Sequence, residues 1–279
     1  MKTLVVPTDF SSVSVNAMNY AVDMAQAINA GIVLLHVYNV PVSYTDAPVS
    51  PVSTISIEEV KRTSEERLEE MKRNITRITS GQLEVFTEAR LGDAIDELEE
   101  LCKSVQPLAV IMGSHGSTGF ERLIMGSTTL TAIRHLKYPV IVVPPGTTYH
   151  GIKKIGLACD FKDVVESIPV DYIKDMVNEF GAELYVLNVH YNDDDKHYKD
   201  ETILESAYLD AMLQDIKPIY YFLNKKDVVE GINEFAEQNN LDMVMVIPKK
   251  HRLIDNLFHK SRSRELVTHS HIPIVSIHE

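Results

Sequence analysis

The sequence predicts an α/β protein made of two tandem repeats of a five-stranded, parallel-type sheet with helices on both faces. Three observations predict it. Short apolar runs alternate with helix-spaced patterns through the first half of the chain. The second half repeats that order with matching residues at its turns. A glycine-rich stretch, LAVIMGSHGSTGFERLIMGSTT from Leu108 to Thr129, follows the fourth apolar run and leads into a hydroxyl-rich helix start.

Taken in order, Thr3 to Val6 is a strand ended by Pro7-Thr8-Asp9. Ser11 and Ser12 start a helix whose Ala17, Ala21, Met24, Ala25 and Ile28 share a face, and Gly31 is expected to stop it. Ile32 to Val37 is the second strand. A loop with Pro41, Pro48 and Pro51 follows, long for a compact domain and read as either mobile or a lid. Ser56-Ile57-Glu58-Glu59 has the form of a capping box, and the helix behind it places Val60, Leu68, Met71, Ile75 and Ile78 inward. Leu83 to Thr87 is the third strand, and Gly92-Asp93 turns the chain and caps a helix with Ile95, Leu98 and Leu101 inside. Leu108 to Met112 is the fourth strand, a helix runs to about Lys137, and Pro139 to Val143 is the fifth strand, ended by Pro144-Pro145-Gly146.

The repeat is legible residue by residue. Leu157-Ala158-Cys159-Asp160-Phe161 answers Val6-Pro7-Thr8-Asp9-Phe10, and Leu187-Asn188-Val189 answers Leu35-His36-Val37. Asn224 to Asp227 answers Arg90 to Asp93, Met243 to Val246 answers Ala109 to Met112, and Pro273-Ile274-Val275 answers Pro139-Val140-Ile141, with the last strand expected over Ile274 to Ile277. The expected domains are 1–146 and 151–279, joined near Thr147 to Gly151. The second has a shorter connection after its second strand, with an acidic Asp193-Asp194-Asp195 loop.

Composition bounds the function. The 44% hydrophobic and 24% charged content is globular, and the formal net charge of −13 argues against a nucleic-acid binder. Cys102 and Cys159 lie in separate halves without metal-ligand spacing, so neither a disulfide framework nor a zinc site is expected. His269 and His271, two apart with no third ligand in reach, read as surface residues. The N-terminus has too short an apolar run for a signal peptide, and no run suits a membrane helix, so the expected location is the cytoplasm.

The chemistry converges on strand ends. In a parallel sheet the ligand crevice lies beyond the carboxyl ends of the strands, where Pro7 to Asp9, Val37, Gly92-Asp93 and Gly113 to Gly116 fall. Glycines let a backbone approach phosphate, and the first N–H groups of a helix at Ser127, Thr128 and Thr129 favour an anion. No GKS or GKT occurs, so this is not a P-loop. The Rossmann GxGxxG and the GxSxG elbow are absent too, leaving Ser114, Ser117 and Ser127 without support as nucleophiles.

The spacing Gly113, two residues, Gly116, nine residues, Gly126-Ser127, after a strand ending in Met112-Gly113, resembles the ATP-binding signature of the universal stress protein family. The PTDFS run, the LLHV strand and the tandem arrangement are similar to that family as well, over nearly the whole chain. The resemblance implies a Rossmann-like fold of the adenine nucleotide alpha hydrolase-like type, with ATP or AMP as ligand and Mg²⁺ as a companion ion. By position, Asp9 and Val37 then border the adenosine, and Pro7 and Thr8 shape that wall. Met112, Gly113, His115 and Gly116 line ribose and phosphate, and Gly126, Ser127, Thr128 and Thr129 donate to the phosphates. It also implies pairing through the fifth strand, hence an intramolecular pseudo-dimer of the two repeats with homodimerisation open.

Two residues keep a plainer reading. Asp9 after a strand and before serines also suits a turn cap, and His115 also suits a solvated loop. The second repeat departs from the signature, with Ile247 at the place of Gly113, Lys250 at Gly116 and Lys260 at Gly126, while Ser261 is kept. Six Lys or Arg between Lys249 and Arg264 form a basic run, read as a solvated surface or an anion or acidic-partner site. The expected function is a nucleotide-dependent regulatory or stress-response protein with one site in the first repeat. A slow ATP hydrolase or phosphotransferase and a nucleotide-free interaction scaffold are the alternatives, and no residue is marked as catalytic.

Overall fold

The apolar runs become strands of one sheet because each is too short for a helix and too apolar for a surface. A computed structural model describes residues 2–39, 57–114, 126–190, 200–248, 265–267 and 270–278. The proline-bearing loop at 40–55, Ser56, His115, Gly116, the Asp193–Asp195 loop, the basic run 249–264 and His269 lie outside the described residues.

The first half runs β1 (Thr3–Pro7), α1 (Ser12–Ile28), β2 (Gly31–Tyr38), α2 (Ile57–Ile78), β3 (Val85–Leu91), α3 (Ala94–Val105), β4 (Ala109–Gly113), α4 (Ser127–His135) and β5 (Val140–Val143). The second runs β6 (Lys154–Ala158), α5 (Val164–Ser167), α6 (Val170–Phe180), β7 (Glu183–His190), α7 (Asp200–Leu213), β8 (Ile219–Asn224), α8 (Val228–Asn239), β9 (Met243–Val246) and β10 (Ile274–Ser276). The sheet order is β3-β2-β1-β4-β5-β10-β9-β6-β7-β8. Within each half the order is therefore 3-2-1-4-5 and the pairing is parallel. The expected α/β class, duplication and cover on both faces are all found.

The helices divide between the faces. Side chains of α1, α2, α6 and α7 form one core with Leu4, Val6, Ile32, Leu34, Ile155 and Leu157. Those of α3, α4 and α8 form the other with Val5, Val33, Leu35, Val110 and Val244. Alternation along each strand sends successive residues to opposite cores, and both cores run through the two halves without a break.

The halves meet where β5 and β10 pair antiparallel, with Val142 opposite Ile274, Ile141 opposite Val275 and Val140 opposite Ser276. All six are buried. Beyond the seam, the Ser276 hydroxyl donates to the Ile133 carbonyl at 3.3 Å, and His278 Nε2 donates to the same oxygen. That carbonyl belongs to the last turn of α4, where helical partners run out.

Four local expectations are corrected. Asn29, left-handed at φ 53°, ends α1 by returning its N–H to Ala25 and Gln26, while Gly31 opens β2. An Asn tolerates that conformation, and two further residues are needed to reach the strand. The third strand extends to Leu91 because β2 pairs with it as far as Tyr38, which matches Leu91; its polar Glu88 and Arg90 suit a sheet edge. Ile78 points outward at 63% exposure, since Thr79 takes the buried place and bonds back to Ile75. The last strand is Ile274–Ser276, one residue shorter than expected, with Ile277 donating onward to the Val246 carbonyl.

Removing the second half leaves β5 as a bare apolar edge, which recruits another strand. A chain ending at residue 146 is expected to self-associate through β5 in sedimentation experiments, and a stable monomer would contradict this account of the seam.

Candidate functional site

Since β1 and β4 are neighbours while the chain leaves them toward opposite sides of the sheet, a crevice opens between their carboxyl ends. The β1 side is a turn built by short polar side chains. Thr8 is buried: its N–H bonds the Leu35 carbonyl at 2.8 Å, and its hydroxyl meets Ser14 Oγ at 3.0 Å and accepts the Phe10 N–H at 3.0 Å. Asp9 is exposed, and its Oδ1 accepts the Ser11 N–H at 3.0 Å. Ser11 caps α1 by accepting the Ser14 N–H at 3.2 Å. Partial burial pushes the Asp9 carboxyl up, but hydrogen bonds from Ser11 and Ser14 outweigh it and hold the group below its ordinary value.

Phe10 sits left-handed at φ 63°, a conformation costing a bulky residue about 1–3 kcal/mol. Aromatic contacts help hold it there. Its ring lies 4.4 Å from the His36 ring, and the Arg67 guanidinium stands 3.9 Å over its face. His36 Nδ1 lies 2.7 Å from the Thr8 carbonyl. Burial lowers its proton affinity, and Arg67 adds to that, while the Thr8 bond and the Asp9 charge act the other way without restoring it. The ring is thus neutral near pH 7, donates from Nδ1, and leaves Nε2 as an acceptor. Val37, next along β2, is half-buried against the other core.

The second half reproduces this turn with different atoms. Asn188 Nδ2 donates to the Cys159 carbonyl at 2.9 Å, as His36 does to Thr8. The Phe161 N–H meets Cys159 Sγ at 3.4 Å, Lys162 N–H meets Asp160 Oδ1 at 3.2 Å, and Phe161 is left-handed at φ 50°. The turn-forming role of Asp9 therefore has an exact parallel in a half that lacks the glycine signature.

On the β4 side, Met112 is buried and Gly113 lies under the first turn of α1. A Cβ on Gly113 would stand 2.4 Å from Val13 Cγ1 and 2.9 Å from the Val13 carbonyl oxygen, so helix packing alone requires this glycine. The ends of the glycine-rich loop are pinned: Ser114 N–H bonds the Val143 carbonyl at 3.1 Å, and Gly126 N–H bonds the Ser114 carbonyl at 3.2 Å. Gly126 at the cap position has no side chain with which to cap α4, and the first helical bond is Leu130 N–H to the Gly126 carbonyl. The N–H groups of Ser127, Thr128 and Thr129 precede that ladder. Ser127 is exposed and Thr128 half-buried, whereas buried Thr129 spends its hydroxyl on the Gly113 carbonyl at 3.0 Å.

Of the expected residues, Pro7, Thr8, Asp9 and Val37 thus stand at the ends of β1 and β2, and Met112, Gly113 and Gly126 to Thr129 at the end of β4 and the start of α4. His115 and Gly116 lie outside the described residues. Sequence reasoning missed the Phe10–His36–Arg67 stack. A polar His inside an apolar strand was its only local signal; Arg67 arrives from a distant helix. Arg90 at the end of β3 is closed off by Glu88 and Glu97. In the second half Ile247 is half-buried against the core, and the helix after β6 is broken by Pro169 into α5 and α6. Cys102 and Cys159 are buried and unbridged, and burial pushes the Cys102 thiol up to about 12. Among the described residues no cluster of His, Cys, Asp or Glu suits a metal, and no helix is long and apolar enough to cross a membrane.

The sequence pattern of the universal stress protein family matches residues 1–144 and again 151–278. Universal stress protein MJ0531 of Methanocaldococcus jannaschii is 28% identical over 142 residues, which is 51% of this chain and 81% of that protein. A universal stress protein from Archaeoglobus fulgidus has the same fold along 99% of this chain and 98% of its own, with a TM-score of 0.72 and 17% identity. A universal stress protein solved in complex with cAMP aligns with 51% of this chain and 96% of its own, at 24% identity and a TM-score of 0.39.

Two outcomes test the geometry. Gly113→Ala is expected to cost about 1–3 kcal/mol in urea unfolding, because the methyl group meets backbone as well as the Val13 side chain; an unchanged midpoint would show that the contact yields freely. His36 binds a proton less well folded than unfolded, so its contribution is complete above the ordinary value of 6.5 and is lost as pH falls through the lower folded value. His36→Asn, the arrangement of the second half, keeps a donor for Thr8. It is expected to flatten the loss of stability between about pH 7 and 5, and an unchanged slope would refute the assignment.

Proposed function

This chain belongs to the universal stress protein family, and we propose that it is a nucleotide-dependent regulatory protein holding one adenine nucleotide, ATP or AMP, in its first half. The observation that carries the reading is the start of α4, which has a glycine at its cap position and stands beside the carboxyl ends of β1 and β4. Such a start presents N–H donors and a positive dipole end to an anion.

In this reading Asp9 and Val37 border the adenosine, with Pro7 and Thr8 as the wall behind them. Met112, Gly113, His115 and Gly116 line the ribose and phosphate path, and Gly126, Ser127, Thr128 and Thr129 donate to phosphate. Internal bonding sharpens the roles. Thr8 and Thr129 have hydroxyls committed within the fold, so Thr129 offers its N–H, and Ser127 and Thr128 offer hydroxyls as well. Asp9 Oδ1 accepts the Ser11 N–H, and the exposed carboxylate faces a ribose or base. Donors of this kind suit phosphate oxygens rather than a cation, so a Mg²⁺ ion would arrive bound to the nucleotide. The second half acts as the structural partner, a pseudo-dimer mate joined through β5 and β10, with Ile247 in place of the loop glycine.

Calorimetric titration with ATP and with AMP is expected to give one site per chain. Ser127→Pro isolates the helix start. Proline is tolerated in a first helical turn, and Gly126 already has the extended backbone that precedes a proline, φ −56° and ψ 140°. The variant should fold, lose one N–H and one hydroxyl, and bind about tenfold more weakly or worse. Two equal sites, no site, or undiminished binding by the variant would overturn the assignment. Phosphate release that disappears in the variant would replace the regulator with a hydrolase.

A further inference from the structure

The helix α7 has two apolar faces. Leu209 and Leu213 are fully buried in the core. Around the other side, Ile203, Leu204 and Tyr208 are 57%, 53% and 44% exposed, and Ala207 and Ala211 are exposed with them. At 100° per residue these five fill a stripe about 140° wide, and from Ile203 to Ala211 no charged residue falls inside it. The short helix α5 packs on α7, where Glu205 accepts the Val164 N–H at 2.8 Å, and its Val165 is 63% exposed.

The corresponding helix of the first half shows that the fold does not demand this. There α2 turns Lys61, Arg62, Glu65 and Glu66 outward, with ion pairs between Lys61 and Glu65 and between Arg62 and Glu66. One position in the fold thus carries a solvated charged face in one copy and a bare apolar face in the other.

Charge decides what covers it. Over its fourteen residues α7 carries Asp200, Glu201, Glu205 and Asp210 and no Lys or Arg, and Asp163 and Glu166 lie at the start of α5. The neighbouring Lys174 is bound to Asp215 at 2.8 Å. A second copy seated on the stripe would bring acidic rim against acidic rim, and an anionic membrane would be repelled in the same way. We propose that the Ile203–Leu204–Ala207–Tyr208–Ala211 face docks an amphipathic helix of a partner protein whose apolar side is flanked by Lys and Arg. The small Ala207 and Ala211 let that helix approach closely, between the larger Ile203 and Tyr208.

The test uses the whole chain and two fluorescent synthetic helices with the same leucine face, one flanked by lysines and the other by glutamates. Anisotropy is expected to show binding of the lysine-flanked helix alone, weakened by raised salt. The variant Ile203→Gln/Leu204→Gln/Tyr208→Gln changes only exposed side chains, so its unfolding midpoint should hold while binding falls about tenfold or more. Equal binding of both helices, binding that the variant keeps, or no binding of either would overturn the proposal. So would self-association in sedimentation that the variant abolishes, or attachment to phosphatidylserine vesicles.

Discussion

The antiparallel pairing of β5 with β10 is the constraint on which the rest of the molecule depends. Each half is a parallel sheet whose last strand is short and wholly buried, and neither edge survives in water alone. Joining them edge to edge satisfies both backbones and makes each core continuous across the two halves. It also reverses direction, so the carboxyl ends of the two strand sets lie along opposite edges of the sheet. The crevices of the two halves are thereby kept apart, and neither can complete the other. What crosses the seam is a helix cap. Ser276 and His278 bond the last-turn carbonyl of α4, whose first turn begins at the glycine-rich loop. The second half therefore steadies the far end of the element on which the nucleotide reading rests.

Within each half, the turn after the first strand and the end of the fourth strand carry different information. The turn is the same in both copies down to the left-handed phenylalanine, the aspartate turn and the side chain pinned to the preceding carbonyl. Its conservation of form within one molecule makes it architecture first. The fourth-strand end differs, and the difference is steric. An unbroken α1 lays its first turn on Gly113. In the second copy, an isoleucine stands at the matching place and the helix is split at Pro169. Glycine at 113 is thus a packing requirement before it is a phosphate requirement, which moves the weight of the nucleotide argument to Gly126, Ser127 and Thr128.

Legibility in the sequence followed the range of the interaction. The strands, the caps at Ser11 and Asp93 and the duplication were readable because they rest on local periodicity and short polar contacts. The misplaced details lie where a neighbour in space overrides the local signal. Pairing with β2 lengthens β3, Thr79 displaces Ile78 from the core, and Asn29 ends a helix that glycine was expected to end. In the site, the wall of Pro7 to Asp9 and the start of α4 were readable, while the Phe10–His36–Arg67 stack was not, because Arg67 reaches it from a helix more than fifty residues away in sequence. The clash behind Gly113 spans a hundred residues, and no pattern of spacing encodes it.

Duplication lets two copies of one fold drift toward different surfaces while the shared cores hold them together. The first copy keeps a narrow close approach at Gly113, a helix start with glycine at its cap position and a charged α2. The second fills the corresponding strand end with Ile247 and turns apolar side chains outward on α7. Hydration penalises an exposed apolar stripe and imposes no such cost on a charged one. An apolar face that persists opposite a solvated counterpart thus separates the two copies more sharply than the altered loop does. A loop can lose a ligand by drift alone, whereas a bare apolar helix face needs something to cover it.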